Sequence, residues 1–112
     1  MLSGLSDSLE RYMDLLSARQ KVVASNIANA DTPGYKTKDI DFESEFHSAI
    51  HGAGVETFEV DGLPVKNDGN NVSLDRESRL LAENDMRFNL ASNLLRSEVQ
   101  AIRAALQTGS NS

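Results

Sequence analysis

The stretch from residue 74 to residue 105 reads LDRESRLLAENDMRFNLASNLLRSEVQAIRAA. Within it Leu74, Glu77, Leu81, Asn84, Phe88, Ala91, Leu95, Glu98, Ile102 and Ala105 follow one another at alternating steps of three and four, the seam of a heptad helix. No Gly or Pro interrupts the pattern. Ser73 is placed to cap its start, Asp75 and Glu77 put acids at the positive end of the helix dipole, and Gly109 is expected just past its end. At 1.5 Å per residue such a helix is about 50 Å long.

Near the N-terminus the same alternation runs through Leu2, Leu5, Leu9, Tyr12, Leu16, Arg19, Val23, Asn26 and Ala30, for a second rod about 40 Å long. The pattern predicts helices over roughly residues 5–30 and 74–107. Two such helices in one chain pair as an antiparallel coiled-coil hairpin, so the expected fold is all-α. It divides into an N-terminal helix (1–30), an irregular middle segment (31–73) and a C-terminal helix (74–112) within one structural unit. The packing residues expected on the seams and beside them are Leu9, Tyr12, Leu16, Val23 and Ile27 on the first helix and Leu81, Asn84, Phe88, Leu95 and Ile102 on the second.

Each seam also has apolar neighbours that a single partner helix cannot cover: Leu15, Val22 and Ile27 beside the first, and Leu80, Leu94, Val99 and Leu106 beside the second. Either the middle segment covers them or other subunits do. The middle segment offers a short amphipathic turn around Phe42, Phe46 and Ile50, and Val55 to Val65 reads as a small β-hairpin about Asp61-Gly62. It is poor in large apolar residues. Exposed apolar helix faces point to association, and the stability expected of the isolated chain is near zero, because one hairpin buries little area against the entropy of ordering it.

The chain has 112 residues, enough for one small domain. Its net charge is -6, a field that repels phosphate, so nucleic acid is not an expected partner. Both ends are neutral. The whole surplus lies between residues 31 and 73, where Lys36, Lys38 and Lys66 face nine acids. With no cysteine there are no disulfides, thiolate metal sites or thiol nucleophiles. The apolar runs are too short for a membrane span or a cleaved signal peptide.

Catalytic and ligand chemistry finds little support. His47 and His51 stand four apart, with Glu43 a turn earlier, but Gly52 and Gly54 follow at once and no further ligand set converges on a zinc site. Asp68-Gly69-Asn70-Asn71 resembles part of a calcium loop, yet with Gly69 at the sixth position the first ligand falls on Pro64. A phosphate-binding loop, a dinucleotide fingerprint and a nucleophile elbow are all missing. No enzymatic activity, cofactor, metal or small-molecule substrate is expected.

The most distinctive segment is Ala24-Ser25-Asn26-Ile27-Ala28-Asn29-Ala30-Asp31-Thr32-Pro33-Gly34-Tyr35-Lys36. Pro33-Gly34 suit the two central positions of a type II turn, so the first helix must stop here. Small Ala positions permit close helix approach. Asn26 and Asn84 both fall on seam positions, where a buried polar pair costs stability and fixes register.

This segment resembles the N-terminal signature of bacterial flagellar axial proteins, A-N-x-A-N-x-x-T-P-G-Y, with Ser25 in place of the first alanine. The matching residues are Asn26, Ala28, Asn29, Thr32, Pro33, Gly34 and Tyr35. The run Asn70-Asn71-Val72-Ser73-Leu74-Asp75-Arg76-Glu77, with Leu81-Ala82-Glu83-Asn84 and Arg87-Phe88-Asn89, is similar to the basal-body rod protein family, and within it to the proximal rod branch. The resemblance implies a structural subunit of the flagellar rod, with other copies of itself and other rod and basal-body proteins as partners. It further implies export through the flagellar type III apparatus without a cleaved signal, and assembly in the periplasm. Phe42-Glu43-Ser44-Glu45-Phe46 fits the short export-gate element of such substrates; the same two phenylalanines also suit a loop anchor. Outside that family, the heptad faces fit a soluble helical adaptor that binds one partner.

Overall fold

A computed structural model describes residues 4–48 and 55–110. Its elements are α1 (Gly4–Ala28), β1 (Lys38–Asp39), α2 (Phe42–Ser48), β2 (Phe58–Glu59) and α3 (Leu74–Ser110). The terminal helices pack against each other in a molecule 72 Å long and 27 by 18 Å across. The pairing is antiparallel: Asn26 near the end of α1 reaches Glu77 near the start of α3, and Asn84 further along α3 reaches back to Leu16 and Gln20. The architecture is the helical hairpin expected from the two seams. Ser73 caps α3 as its chemistry predicts, the Arg76 amide donating to Ser73 Oγ at 3.2 Å.

The seams bury their central residues. Leu16 and Val23 on α1 and Ala91 on α3 are fully covered. Leu9, Tyr12, Ile27, Leu81, Phe88, Leu95 and Ile102 are half-buried. Burial fades away from the closed end, and residues 103–109 are exposed, because by the register above they lie beyond the point where the described part of α1 begins.

Between the helices the chain forms an arm. α2 and β1 pack on α1, and the Tyr12 and Phe42 rings meet edge to face with centroids 5.3 Å apart. The Arg11 guanidinium stands over the Phe46 ring at 5.5 Å. Leu15, expected to await a neighbouring subunit, is instead buried within the chain, as is Ile40 at the root of the arm. The arm supplies the third layer on this side of α1. The fit is loose, since an open groove of about 380 Å³ remains there, lined in part by Ala18, Val22, Ile40, Val55 and Thr57.

The small sheet differs from the expected hairpin. β2 pairs not with residues across Asp61-Gly62 but with β1, antiparallel, with Lys38 opposite Glu59 and Asp39 opposite Phe58. The Val60 amide continues the ladder to the Thr37 carbonyl at 2.9 Å. Gly62 does take a positive φ of 80°, so the local turn chemistry is real. Residues 63–66 carry no strand beyond it, since the backbone groups of residues 58–60 find their partners in the segment leaving the signature. Ile50 and His51 lie outside the described residues.

Candidate functional site

The signature segment folds into a knot at the closed end of the hairpin. After Ala28 the helix tightens, with the Ala30 amide donating to Ile27 at 3.2 Å and Thr32 to Asn29 at 3.1 Å. The chain then turns at Thr32–Tyr35, where the Tyr35 amide donates to the Thr32 carbonyl and Gly34 sits at φ 77°, as a type II turn requires of its third residue. The Gly34 amide donates in turn to the Asp68 carbonyl at 2.9 Å. Gly69 lies directly over this turn, and any Cβ there would fall 3.3 Å from the Gly34 Cα.

Asn26 is the centre of the knot and is wholly buried. Its Nδ2 donates to the Lys38 carbonyl at 2.8 Å and to Glu77 Oε2 at 3.2 Å, and its Oδ1 accepts from the Tyr35 hydroxyl and the Lys38 amide, both at 3.1 Å. One amide thus joins α1, the turn, the root of the arm and α3 with all four of its bonding positions filled. Asn29 caps locally, donating to the Ser25 carbonyl and accepting from the Thr32 hydroxyl. Ala28, Thr32, Pro33 and Gly34 are exposed.

Asn26 and Asn84 do not form a pair with each other; each bonds across to the facing helix. Asn84 Nδ2 donates to the Leu16 carbonyl at 2.8 Å and to Gln20 Oε1 at 2.9 Å, while its Oδ1 is buried without a partner among the described residues. A buried polar group of this kind costs stability and penalises other alignments of the helices.

The composition gave no warning of the residues that complete the knot. Asn70 donates to the carbonyls of Asn29 and Thr32 at 2.9 and 2.8 Å, closing the frayed end of α1. Lys66 Nζ donates to the Ala30 carbonyl and Lys36 Nζ to that of Gly69. Asn71 Oδ1 accepts from both the amide and the hydroxyl of Thr37. The Asn70-Asn71 doublet just before the cap of α3 was the available signal, since Asn is suited to satisfying loop backbone.

A charged cluster adjoins the amide. Asp39 on β1 receives Arg19 Nε and Nη2 on its two oxygens at 3.1 and 3.0 Å, and Arg76 Nη2 at 2.9 Å on the oxygen Oδ2 that Arg19 Nη2 also uses. Arg76 Nη1 donates to Glu77 Oε1 at 2.7 Å. Burial alone would push the Asp39 carboxyl up; the Arg19 hydrogen bond, the Ile40 amide, the Arg19 charge and the Arg76 hydrogen bond outweigh it and hold the carboxyl below its ordinary 3.8. Arg19 held a seam position in the sequence, but nothing local marked Asp39 as its partner.

A second apolar row runs along α3 on a side away from Glu77, Asn84 and Ala91, by the helical repeat of about 3.6 residues per turn. Met86, Leu90 and Leu94 are 72%, 61% and 50% exposed, and Leu74 and Leu106 are also exposed. Nothing in the chain's described residues covers them. Among those residues no group of His, Asp or Glu is arranged to hold a metal ion, and no helix is long and apolar enough to cross a membrane.

The family described as "Flagella basal body rod protein" matches residues 13–36, the second half of α1 and the signature turn. The chain is 34% identical to the flagellar basal body rod protein FlgB of Borrelia hermsii, over 79% of this chain and 84% of that one. It is 31% identical to FlgB of Borreliella burgdorferi over 90% and 94%, and 30% identical to FlgB of Escherichia coli over 97% and 99%.

Proposed function

The chain belongs to the flagellar basal body rod protein family, and from that premise we propose that it is a structural subunit of the flagellar rod, built into the axial shaft through its terminal helices. The observation that carries this reading is the bare apolar row Met86, Leu90 and Leu94 on a helix whose other face is already occupied by α1. A fully buried leucine gains about 1.5–3 kcal/mol, so a few such contacts per subunit favour ordered association over the free chain. The partners on this reading are further copies of the chain and other rod and basal-body proteins, and the working place is the basal body on the periplasmic side.

Export by the flagellar type III gate precedes assembly in this scheme, with Phe42 and Phe46 read as the gate element while the chain is unfolded. The signature residues Asn26, Ala28, Asn29, Thr32, Pro33, Gly34 and Tyr35 serve the subunit by fixing the turn from which both helices depart. No catalytic step belongs to this function.

Complementation of a strain lacking the gene tests the reading. Leu90→Asp and Leu94→Asp should abolish motility and leave basal bodies without the subunit, while secretion and the helical content of the purified chain stay close to wild type. Normal swimming of the double variant, or a wild-type chain that forms a closed, monodisperse dimer in solution, would overturn it.

A further inference from the structure

Asp39 occupies a position that neither the rod assignment nor the signature explains. It belongs to the arm, through β1. Yet its carboxylate is the acceptor shared by Arg19 of α1 and Arg76 of α3, and both guanidiniums donate to the same atom, Oδ2. Each arginine side chain is about four-fifths covered. Two positive groups are therefore held close together across the helix pair, in surroundings where charge repulsion is stronger than in water. Glu77 balances Arg76 from the α3 side at 2.7 Å. The counter-charge for Arg19 is Asp39.

The apolar contact between arm and α1 is incomplete, given the open groove beneath Val55 and Ile40. The arm is held to the hairpin by this carboxylate together with the Asn26 bonds to Lys38 and the ring contacts of Phe42 and Phe46, and of these only the carboxylate answers charge on both helices. The helices depend on it in turn, since withdrawing Asp39 leaves Arg19 and Arg76 facing each other across the interface between α1 and α3.

We propose that Asp39 is a catch that couples the arm to the hairpin: with the arm seated the two helices close, and with the arm lifted the repulsion between Arg19 and Arg76 loosens them. The coupling is reciprocal, as any linkage between two equilibria must be. A contact that presses the arm down tightens the helix pair, and a contact that draws the helices together seats the arm. In a rod the consequence is that an encounter at the arm alters the readiness of the helices to pack, although the device itself resides in the single chain.

Hydrogen exchange on the isolated full-length chain in a stabilising osmolyte, which holds a marginal chain folded, reads both halves at once, with the Val60 amide reporting the arm and amides of residues 77–88 reporting the helix pair. It does not depend on the rod assignment. Asp39→Asn should speed exchange at both places by about tenfold or more. Adding Arg19→Gln leaves Arg76 balanced by Glu77, so Asp39→Asn/Arg19→Gln should restore helix protection to within a few-fold of wild type while Val60 stays fast. Loosening of the arm alone in Asp39→Asn, no recovery in the double variant, or a wild-type chain unprotected at residues 77–88 would each overturn the proposal. Should Asp39→Asn show no protection anywhere, the double variant decides: a protected helix pair with a fast arm supports the catch, and an unfolded double variant overturns it.

Discussion

Asn26 on α1 and Glu77 on α3, 51 residues apart in the chain, meet by a single hydrogen bond of 3.2 Å in a region closed to solvent. The bond fixes the end of one helix against the start of the other. Asn26→Ala removes it and also strands the Tyr35 hydroxyl and both backbone groups of Lys38, at an expected cost of about 2–4 kcal/mol. Asn26→Asp should cost more, because it sets a second carboxylate against Glu77. Urea titration in a stabilising osmolyte, which keeps a marginal chain folded in its baseline, measures both.

Gly69 and Gly34 separate two costs that usually arrive together. Both take positive φ, at 86° and 77°, but a Cβ at Gly34 meets open space while one at Gly69 meets the Gly34 backbone at 3.3 Å. Gly34→Ala should cost about 1–2 kcal/mol, the ordinary penalty of the left-handed region. Gly69→Ala should exceed it, since a backbone must also shift. Equal midpoints for the two variants in the same titration would contradict the close approach.

Acid should act on the chain in part through Asp39. Its folded carboxyl lies below the ordinary 3.8, so the stability it contributes is whole above that value and disappears as the pH falls below it through the folded pKa. Asp39→Asn is less stable at neutral pH and has lost this contribution already. Its stability should therefore decline less steeply than that of wild type as the pH falls below 3.8. The check is a series of unfolding curves from pH 5 downward, and parallel acid limbs would refute the assignment.

Phe42 and Phe46 can be separated into export and anchoring roles by using Tyr12. The Tyr12 ring holds Phe42 against α1, so Tyr12→Ala weakens the anchor and leaves the gate element untouched. Phe42→Ala/Phe46→Ala should stop secretion with cytoplasmic levels maintained, while Tyr12→Ala is secreted normally. Immunoblots of culture supernatant and cell pellet compare them. Secretion of the double variant at wild-type levels would leave the two rings as anchors only.

The helices were legible because a seam is local: three-and-four spacing from Leu2 to Ala30 and from Leu74 to Ala105 marks the helical period, although within the chain the outlying seam positions Leu5, Leu74 and Ala105 stay exposed. The turn at Pro33-Gly34 and the cap at Ser73 were legible for the same reason, since each rests on the chemistry of adjacent residues. The pairing of β2 was not. Asp61-Gly62 carries turn chemistry, but which strand takes up the amides of residues 58–60 depends on where residues 37–39 lie, and that is decided by Asn26 and Asp39. The charge cluster was hidden in the same way, its members at positions 19, 39, 76 and 77 being joined by the fold. The burial of Leu15 within the chain was not legible either, because the spacing placed it beside the seam and the middle segment is poor in large apolar residues.

Along α3, one apolar row is filled by α1 and the row of Met86, Leu90 and Leu94 is left bare. A chain whose exposed face were the same patch that its partner uses would satisfy itself in twos and stop. Here the bare row differs from the seam already in use, so the helix has a valence of two, with one bond made internally and one left over. Any contact that satisfies the second bond through a different surface of the neighbour leaves that neighbour's own bare row still open. Unless the rotation between neighbours closes a ring, growth by such contacts has no natural end, and the length of what is built must then be set by something other than the subunit.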